Sequence, residues 1–474
     1  GGYTNSTMEY YSNLEKEALA KGMSAKDAKA LNKIAAGVIV GNFPSNLTKV
    51  TETDGSNGYL TNLAVIGAKF DEFYLGMTGG VYGKDILSSD TLRKAIAVQT
   101  GVSVSGDVVE GQEYKNAKNG YTFTMYNPAE FHALNHFSVV TVGHIVDFFN
   151  KTLTPSNPLA GGNQTWWLKE AFNLIGLIGF ILFFVPFARL LMATPFFGDL
   201  LCENPQLMKP LETSGQKSKY AITNLSSGVL SAIIFLPVTL IGYLLLQSPF
   251  MPQDTTGGIG LWATFSGLIA LLFLRIGSGK FKGRGAELGF SIPWKKFFKT
   301  LLLAVTVIAA GYMMVFVADY IFQVDFRIWT LDVRIFSFDK ILVALRYLPL
   351  FAVFYIINSL CISRNNFENW SEKKAIAVSI AFNILAPLLF VLVTYVPVIF
   401  TGVNAWGAIS NPMLAAGGAL VPIVAIPFIP ILAMAGYFDV KMYKMTGNVW
   451  LGGLVNSILI TMITVANTSF SFPY

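Results

Sequence analysis

Eight long apolar stretches set the terms for this chain: near 171–194, 222–247, 258–276, 299–323, 341–362, 375–400, 411–437 and 447–467. At 1.5 Å of rise per residue, each can cross about 30 Å of hydrocarbon as a helix. The sequence therefore predicts an all-α polytopic membrane domain of about eight helices over 161–474. Composition agrees: 53% of the 474 residues are hydrophobic and 13% are charged, about half the usual ~25% of a soluble domain. A wholly soluble enzyme, a disordered chain and a collagen-like chain are excluded. The average hides a boundary, because residues 1–168 carry a net charge of −2 and the remainder +8. The first 160 or so residues read as a soluble domain. The high pI, near 9.0, comes from basic residues that flank helices, so no nucleic-acid partner follows from it. Cys202 and Cys361, both near apolar segments, exclude a disulfide framework.

Loop charges orient the helices. Lys209, Lys217 and Lys219 follow the first stretch; Lys280, Lys282, Arg284, Lys295 and Lys296 follow the third. Arg364, Lys373 and Lys374 follow the fifth; Lys441 and Lys444 follow the seventh. Segments 248–257 and 401–410 have no Lys or Arg, and 324–340 is mixed in sign. The positive-inside rule puts the basic loops in the cytoplasm and residues 1–168 outside. Trp166 and Trp167 stand where an interfacial aromatic belt is expected. Arg189, Asp319 and Arg346 are the main charges within the stretches; each is a functional suspect or a side chain that snorkels from a helix end. Seven prolines, at 237, 349, 387, 397, 422, 427 and 430, are expected to kink or open helices. The chain has no P-loop, so nothing suggests an ATP-driven pump.

The soluble part alternates strand and helix patterns. Residues 5–34 read as a helix. Residues 35–42 (AAGVIVGN) and 60–69 (LTNLAVIGAK) are continuous apolar runs of the kind that form buried parallel strands. Residues 121–126 (YTFTMY) make a third strand, and 138–153 an amphipathic helix. This order predicts an α/β domain with a parallel sheet. In open α/β sheets, functional groups gather at the C-terminal ends of strands. Asp71 follows the second strand, and His132, His136 and His144, the three histidines of the chain, follow the third. An acid after one strand and a histidine after the next is the order of one Ser-Asp-His topology.

The stretches AVIGAKFDEF and EFHALNHFSVVTVGHIVDFFNKTL resemble the C-terminal half of an α/β-hydrolase-fold serine hydrolase. The resemblance covers about residues 1–155. It implies Asp71 as the orienting acid and His132 as the general base, with Glu72 and His136 as fallbacks. Gly1 and Gly2 would be the tail of a G-x-S-x-G-G nucleophile elbow. The chain opens at Gly1-Gly2-Tyr3-Thr4 without an initiator Met or signal peptide and reads as the downstream part of a longer polypeptide. The nucleophilic Ser would lie upstream of Gly1, and residues 1–474 alone are expected to be inactive. The implied reaction is hydrolysis of an ester, thioester or peptide through an acyl-serine; location beside a bilayer suggests a lipid-like substrate. Acyl transfer to a lipid acceptor would use the same groups. No metal or organic cofactor is implied.

Plainer roles stand beside these. Asp71 suits a loop acid or helix N-cap, His136 a residue opening the last helix, and His144 packing or surface. His132 and His136 share the i, i+4 spacing of zinc-binding helices, but no HExxH occurs. Ser138 suits an N-cap. The segment 76–118 is either a lid or a surface excursion. The rival from another class is a membrane transporter or scaffold with a non-catalytic outer α/β domain, in which Asp319 or Arg346 would matter and Asp71 and His132 would not. The absence of sorting signals and the Lys-rich style suggest a bacterial plasma membrane.

Overall fold

The computed structural model describes residues 2–278, 289–406 and 412–473. Gly1 and the basic positions Lys280, Lys282 and Arg284 lie outside the described residues. The chain divides into two compact units: Gly1–Thr165 with Val393–Leu420, and Trp166–Leu392 with Val421–Tyr474. The first division falls between Thr165 and Trp166. The sequence placed 393–400 and 411–420 in membrane stretches with a loop at 401–410, whereas the structure counts 393–420 with the first unit.

The first unit is built on four strands, β1 (Ala36–Val40), β2 (Asn62–Ile66), β3 (Glu113–Lys115) and β4 (Thr122–Tyr126), in the order β1-β2-β4-β3. β1, β2 and β4 run parallel, with Val38 beside Ala64 and Ala64 beside Thr124. β3 pairs antiparallel at the edge. Its alternation leaves Glu113 and Lys115 exposed and Tyr114 buried, and no apolar run marks it in the sequence. The single helix expected over 5–34 is two: α1 (Gly2–Ala20) and α2 (Ala25–Leu31). The break falls at Gly22, whose φ of +82° ends α1, and at Ser24, which accepts the Asp27 N–H to start α2.

α3 (Ser45–Lys49), α4 (Tyr74–Thr78) and α5 (Asp90–Thr100) follow in the crossovers, and α6 (Val139–Leu153) closes the sequence of elements. Successive strand residues face opposite ways. Leu63 and Val65 join a core with Met8 of α1, Leu47 of α3, Tyr74 of α4 and Ile96 of α5. Ala64 and Ile66 join the other, with Tyr126 and Phe148 of α6. β2 is therefore sandwiched on both faces, which is why its sequence is apolar without alternation. Ser138 accepts the Thr141 N–H and caps α6.

The membrane unit contains α7 (Trp166–Met192), α8 (Ser214–Ile233), α9 (Phe235–Leu245), α10 (Asp254–Ser278), α11 (Trp294–Phe322), α12 (Phe338–Ser363), α13 (Glu372–Asn383) and most of α15 (Pro412–Thr446), with α16 (Trp450–Asn467). α14 (Leu385–Thr401) continues α13 after a bend. Six described helices are long and apolar enough to cross a membrane, and up to eight spans result if each bent pair is one. The bent pairs are α8–α9, by 48°, and α13–α14, by 49°. Both breaks have one cause. Pro237 and Pro387 lack the N–H that would bond the carbonyls of Ile233 and Asn383, and the helix opens there. α9 and α10 approach through glycine: a Cβ on Gly242 would lie 2.7 Å from the Gly258 Cα.

Three sequence expectations shift. Trp166 and Trp167 are the first residues of α7 itself. The seventh span runs past 437 to Thr446, so Lys441 and Lys444 belong to the helix. The mixed segment 324–340 contains a short hairpin of β5 (Phe326–Ile328) and β6 (Leu331–Val333). Two of the three charges singled out within the stretches sit toward helix ends. Arg189 is three residues from the end of α7 and Asp319 three from the end of α11. Arg346 reaches the carbonyls of Pro249 and Phe250, at 3.4 and 3.3 Å, beyond its own helix.

Candidate active site

β2 ends at Ile66, and the chain turns so that the Asp71 N–H donates to Ala68 O. The Asp71 carboxylate makes two contacts. Oδ1 accepts the Phe73 N–H at 2.9 Å, just before α4, and Oδ2 meets His132 Nδ1 at 2.8 Å. The Asp71 side chain is fully buried, whereas that of His132 keeps 22% of its surface exposed. An acceptor-only carboxylate at Nδ1 holds the proton there and leaves Nε2 as the basic nitrogen. Nε2 makes no hydrogen bond with a described residue.

The ring is held on two more sides. Phe73 stands edge-on, with centroids 4.7 Å apart. Gly41, just past β1, has φ +59°, and a Cβ there would come within 3.0 Å of His132 Cε1. Any other residue at 41 would be strained and would push the imidazole. Asn42 follows, and a Cβ on Gly2 would lie 3.5 Å from its Nδ2. The first turn of α1, the end of β1, Asp71 and His132 therefore meet at one edge of the sheet.

Glu72 does something different from Asp71. Its Oε2 accepts the His132 backbone N–H at 2.9 Å, and its Oε1 accepts the Tyr395 hydroxyl at 2.6 Å. It fixes the main chain of His132 and does not touch the ring. Burial raises the Glu72 pKa above the usual carboxylate range, against the opposing hydrogen bonds from Tyr395 and the His132 N–H. For His132, burial disfavours the cation, but the Asp71 hydrogen bond and the charges of Asp71 and Glu72 outweigh it, and the pKa is raised.

His136 lies in the same 3-10 turn, His132–Phe137, with its ring 6.3 Å from that of His132 and perpendicular to it. Burial, and then the neighbouring His132 cation, lower its pKa. His144 stacks on Tyr126 at 4.3 Å, within the sheet–α6 packing. Among the described residues no group of three or more His, Cys, Asp or Glu side chains is arranged to hold a metal ion.

Sequence reasoning missed Glu130, two residues before His132. It accepts from Asn135 Nδ2 at 2.7 Å, from Thr141 Oγ1 at 2.9 Å and from Ser138 Oγ. The turn bearing His132 is thereby tied to the start of α6. Glu130→Ala is expected to cost on the order of 2 kcal/mol locally, since hydrogen bonds to a charged group are the stronger kind. Amide exchange over 131–141 should rise accordingly; unchanged protection there would remove Glu130 from this positioning role. Tyr395 was also missed, as no local pattern links it to a residue 323 positions away. Gly41 had a signal, a glycine directly after a strand at the edge where functional groups gather. Comparison with protein-family models, with curated proteins and with solved structures finds no match for this chain.

Proposed function

We propose that the first unit is the C-terminal part of an α/β-hydrolase-type serine hydrolase, held at the membrane by the second unit. The observation that carries this reading is the 2.8 Å contact between buried Asp71 and His132 Nδ1, with Nε2 unbonded among the described residues. That is the geometry a general base needs: one nitrogen fixed by an acid and the other presented to a proton. The nucleophile would be a Ser at the turn entering α1, the end of which lies beside Asn42 and so next to the Gly41–His132 contact. His132 would take the Ser proton as the hydroxyl attacks an acyl carbon. It would then return that proton to the leaving group, and water would release the acid by the same route. An ester, thioester or peptide fits this chemistry, and a lipid-like acyl compound fits the location. On the loop charges, residues 1–168 lie outside a plasma membrane and the basic loops inside.

The test is fluorophosphonate labelling of the full-length natural polypeptide that carries these residues. Labelling of one Ser in the turn before α1 is expected, with residues 1–474 alone unlabelled. Labelling that survives His132→Ala at an undiminished rate would sink the reading. Acyl transfer is separated from hydrolysis by product analysis with and without a lipid acceptor.

The pH profile provides another check. His132 must be neutral to act as base, and its pKa is raised above 6.5. The acid limb of kcat/KM should therefore rise through a pKa above that of a free histidine. The linked stability has the opposite sense. The Asp71–His132 cation pair stabilises the fold below the unfolded pKa, and this contribution is lost as pH rises through the folded one. A limb at or below 6.5 would contradict the assignment.

A further inference from the structure

The membrane unit holds a cavity of about 1020 Å³ that the hydrolase reading does not use. Its walls come from α8, α10, α12 and α13, with Leu432 of α15. Both bent pairs contribute. Ser227 and Ser231 precede the break at Ile234, and Ser379 and Asn383 precede the break at Ile384. A helix opened at membrane depth is tolerated where the freed backbone is covered by protein or lines a polar space.

Ser266 of α10 carries the second observation. It is 3% exposed, lines the cavity, and its Oγ has no hydrogen-bond partner among the described residues. A buried hydroxyl left unpaired is costly unless something else bonds it. Asn358 of α12 also lines the cavity, with its Nδ2 donating to Asp439 Oδ2 at 3.2 Å, and one wall is fixed by a chain in which the Tyr220 hydroxyl donates to Asn365 Oδ1 at 2.5 Å and Asn365 Nδ2 to Ser379 Oγ at 3.0 Å. Among the described residues, the charged side chains lining the cavity are Lys209, Lys219 and Arg364 and one carboxylate, Glu368. Topology accounts for cations before and at the start of α8 and just after α12. It does not account for the neutral polar wall beneath them or for unpaired Ser266.

We propose that this cavity binds an anionic solute or lipid headgroup, with a phosphate-type charge at the Lys209, Lys219 and Arg364 rim and a hydroxyl-bearing portion against Ser266 and Asn358. The proposal is independent of the Asp71–His132 site. It would give the second unit a ligand of its own, beyond anchoring.

Thiol accessibility tests it in the full-length protein, in phosphatidylcholine nanodiscs, with Cys202→Ser and Cys361→Ser removing the native thiols. Ser227→Cys places a reporter in the wall, and Thr223→Cys a second one turn away. A sulfonate-bearing methanethiosulfonate should modify either reporter roughly tenfold faster than its trimethylammonium counterpart, after correction for free-thiol rates, because a basic cleft concentrates anions. Lys209→Gln with Lys219→Gln should abolish the preference. Inorganic phosphate, or replacement of part of the lipid by phosphatidylglycerol, should slow modification. Slowing by phosphate alone identifies a soluble anion, and slowing by phosphatidylglycerol alone a headgroup. Equal rates, a cation preference, or slowing by neither competitor would overturn the proposal.

Discussion

Asp71→Asn is expected to slow acylation of the full-length natural polypeptide by about 10⁴-fold while leaving the local fold in place. The substitution is nearly isosteric. The amide oxygen can still accept the Phe73 N–H that Asp71 Oδ1 accepts at 2.9 Å, so the turn before α4 keeps its bond. At the Oδ2 position an NH₂ group now faces His132 Nδ1, which must become the acceptor. The ring proton moves to Nε2, the nitrogen that should receive the Ser proton. Stabilisation of the imidazolium is lost at the same time. Fluorophosphonate labelling kinetics, with amide exchange at 68–78 as a control for folding, measure the effect. A variant within tenfold of the parent would show that Asp71 is a turn residue and no more.

Phe123→Ala should destabilise the first unit by about 3–5 kcal/mol, a large part of the ~5–15 kcal/mol that holds a domain together. Phe123 is fully buried. It lies beside Leu63 on one flank and Tyr114 on the other, at the centre of the sheet that presents Asp71 and His132. Few neighbours can move to fill the space, since strands border it on both sides. Amide protection at 62–66 and 122–126 should fall a hundredfold or more in the intact protein. Unchanged protection would mean that the sheet draws its stability from elsewhere.

The strands β1 and β2 were legible as short apolar runs bounded by turn residues, and β4 as a short run of β-branched and aromatic residues. The meeting of Asp71 with His132 was legible because both follow strands of one parallel sheet, whose C-terminal ends lie together. The edge strand β3 was not, since three residues reading Glu-Tyr-Lys carry no periodicity. The division of α1 from α2 was written in Lys21-Gly22-Met23-Ser24 but masked by the Ala- and Lys-rich sequence around it. Helix lengths depend on packing as well as hydropathy. Ending the seventh span at 437 concealed Asp439, which is buried in α15 and accepts from Asn358 Nδ2 at 3.2 Å and Asn456 Nδ2 at 3.0 Å. A helix-interior carboxylate with neutral donors looks like a loop residue when the helix is drawn too short. The hydrogen bonds from Tyr395 to Glu72 and from Ser138 to Glu130 join residues that only the folded chain brings together.

The first unit is discontinuous, because Val393–Leu420 belongs to it as much as Gly1–Thr165 does. The order of synthesis follows from this. A ribosome adding roughly 5–20 residues per second needs about 10 to 50 s after Thr165 to deliver the second portion. Through that interval Glu72, which bonds the main chain of His132, waits without the hydroxyl of Tyr395. A nascent chain would thus carry an assembled sheet before its site has all its supports, and maturation of the site would be tied to translation past Tyr395. The same feature warns against excision: a soluble piece ending at residue 165 would present Glu72 unsupported, so the protein's two parts are not modules that one cut can separate.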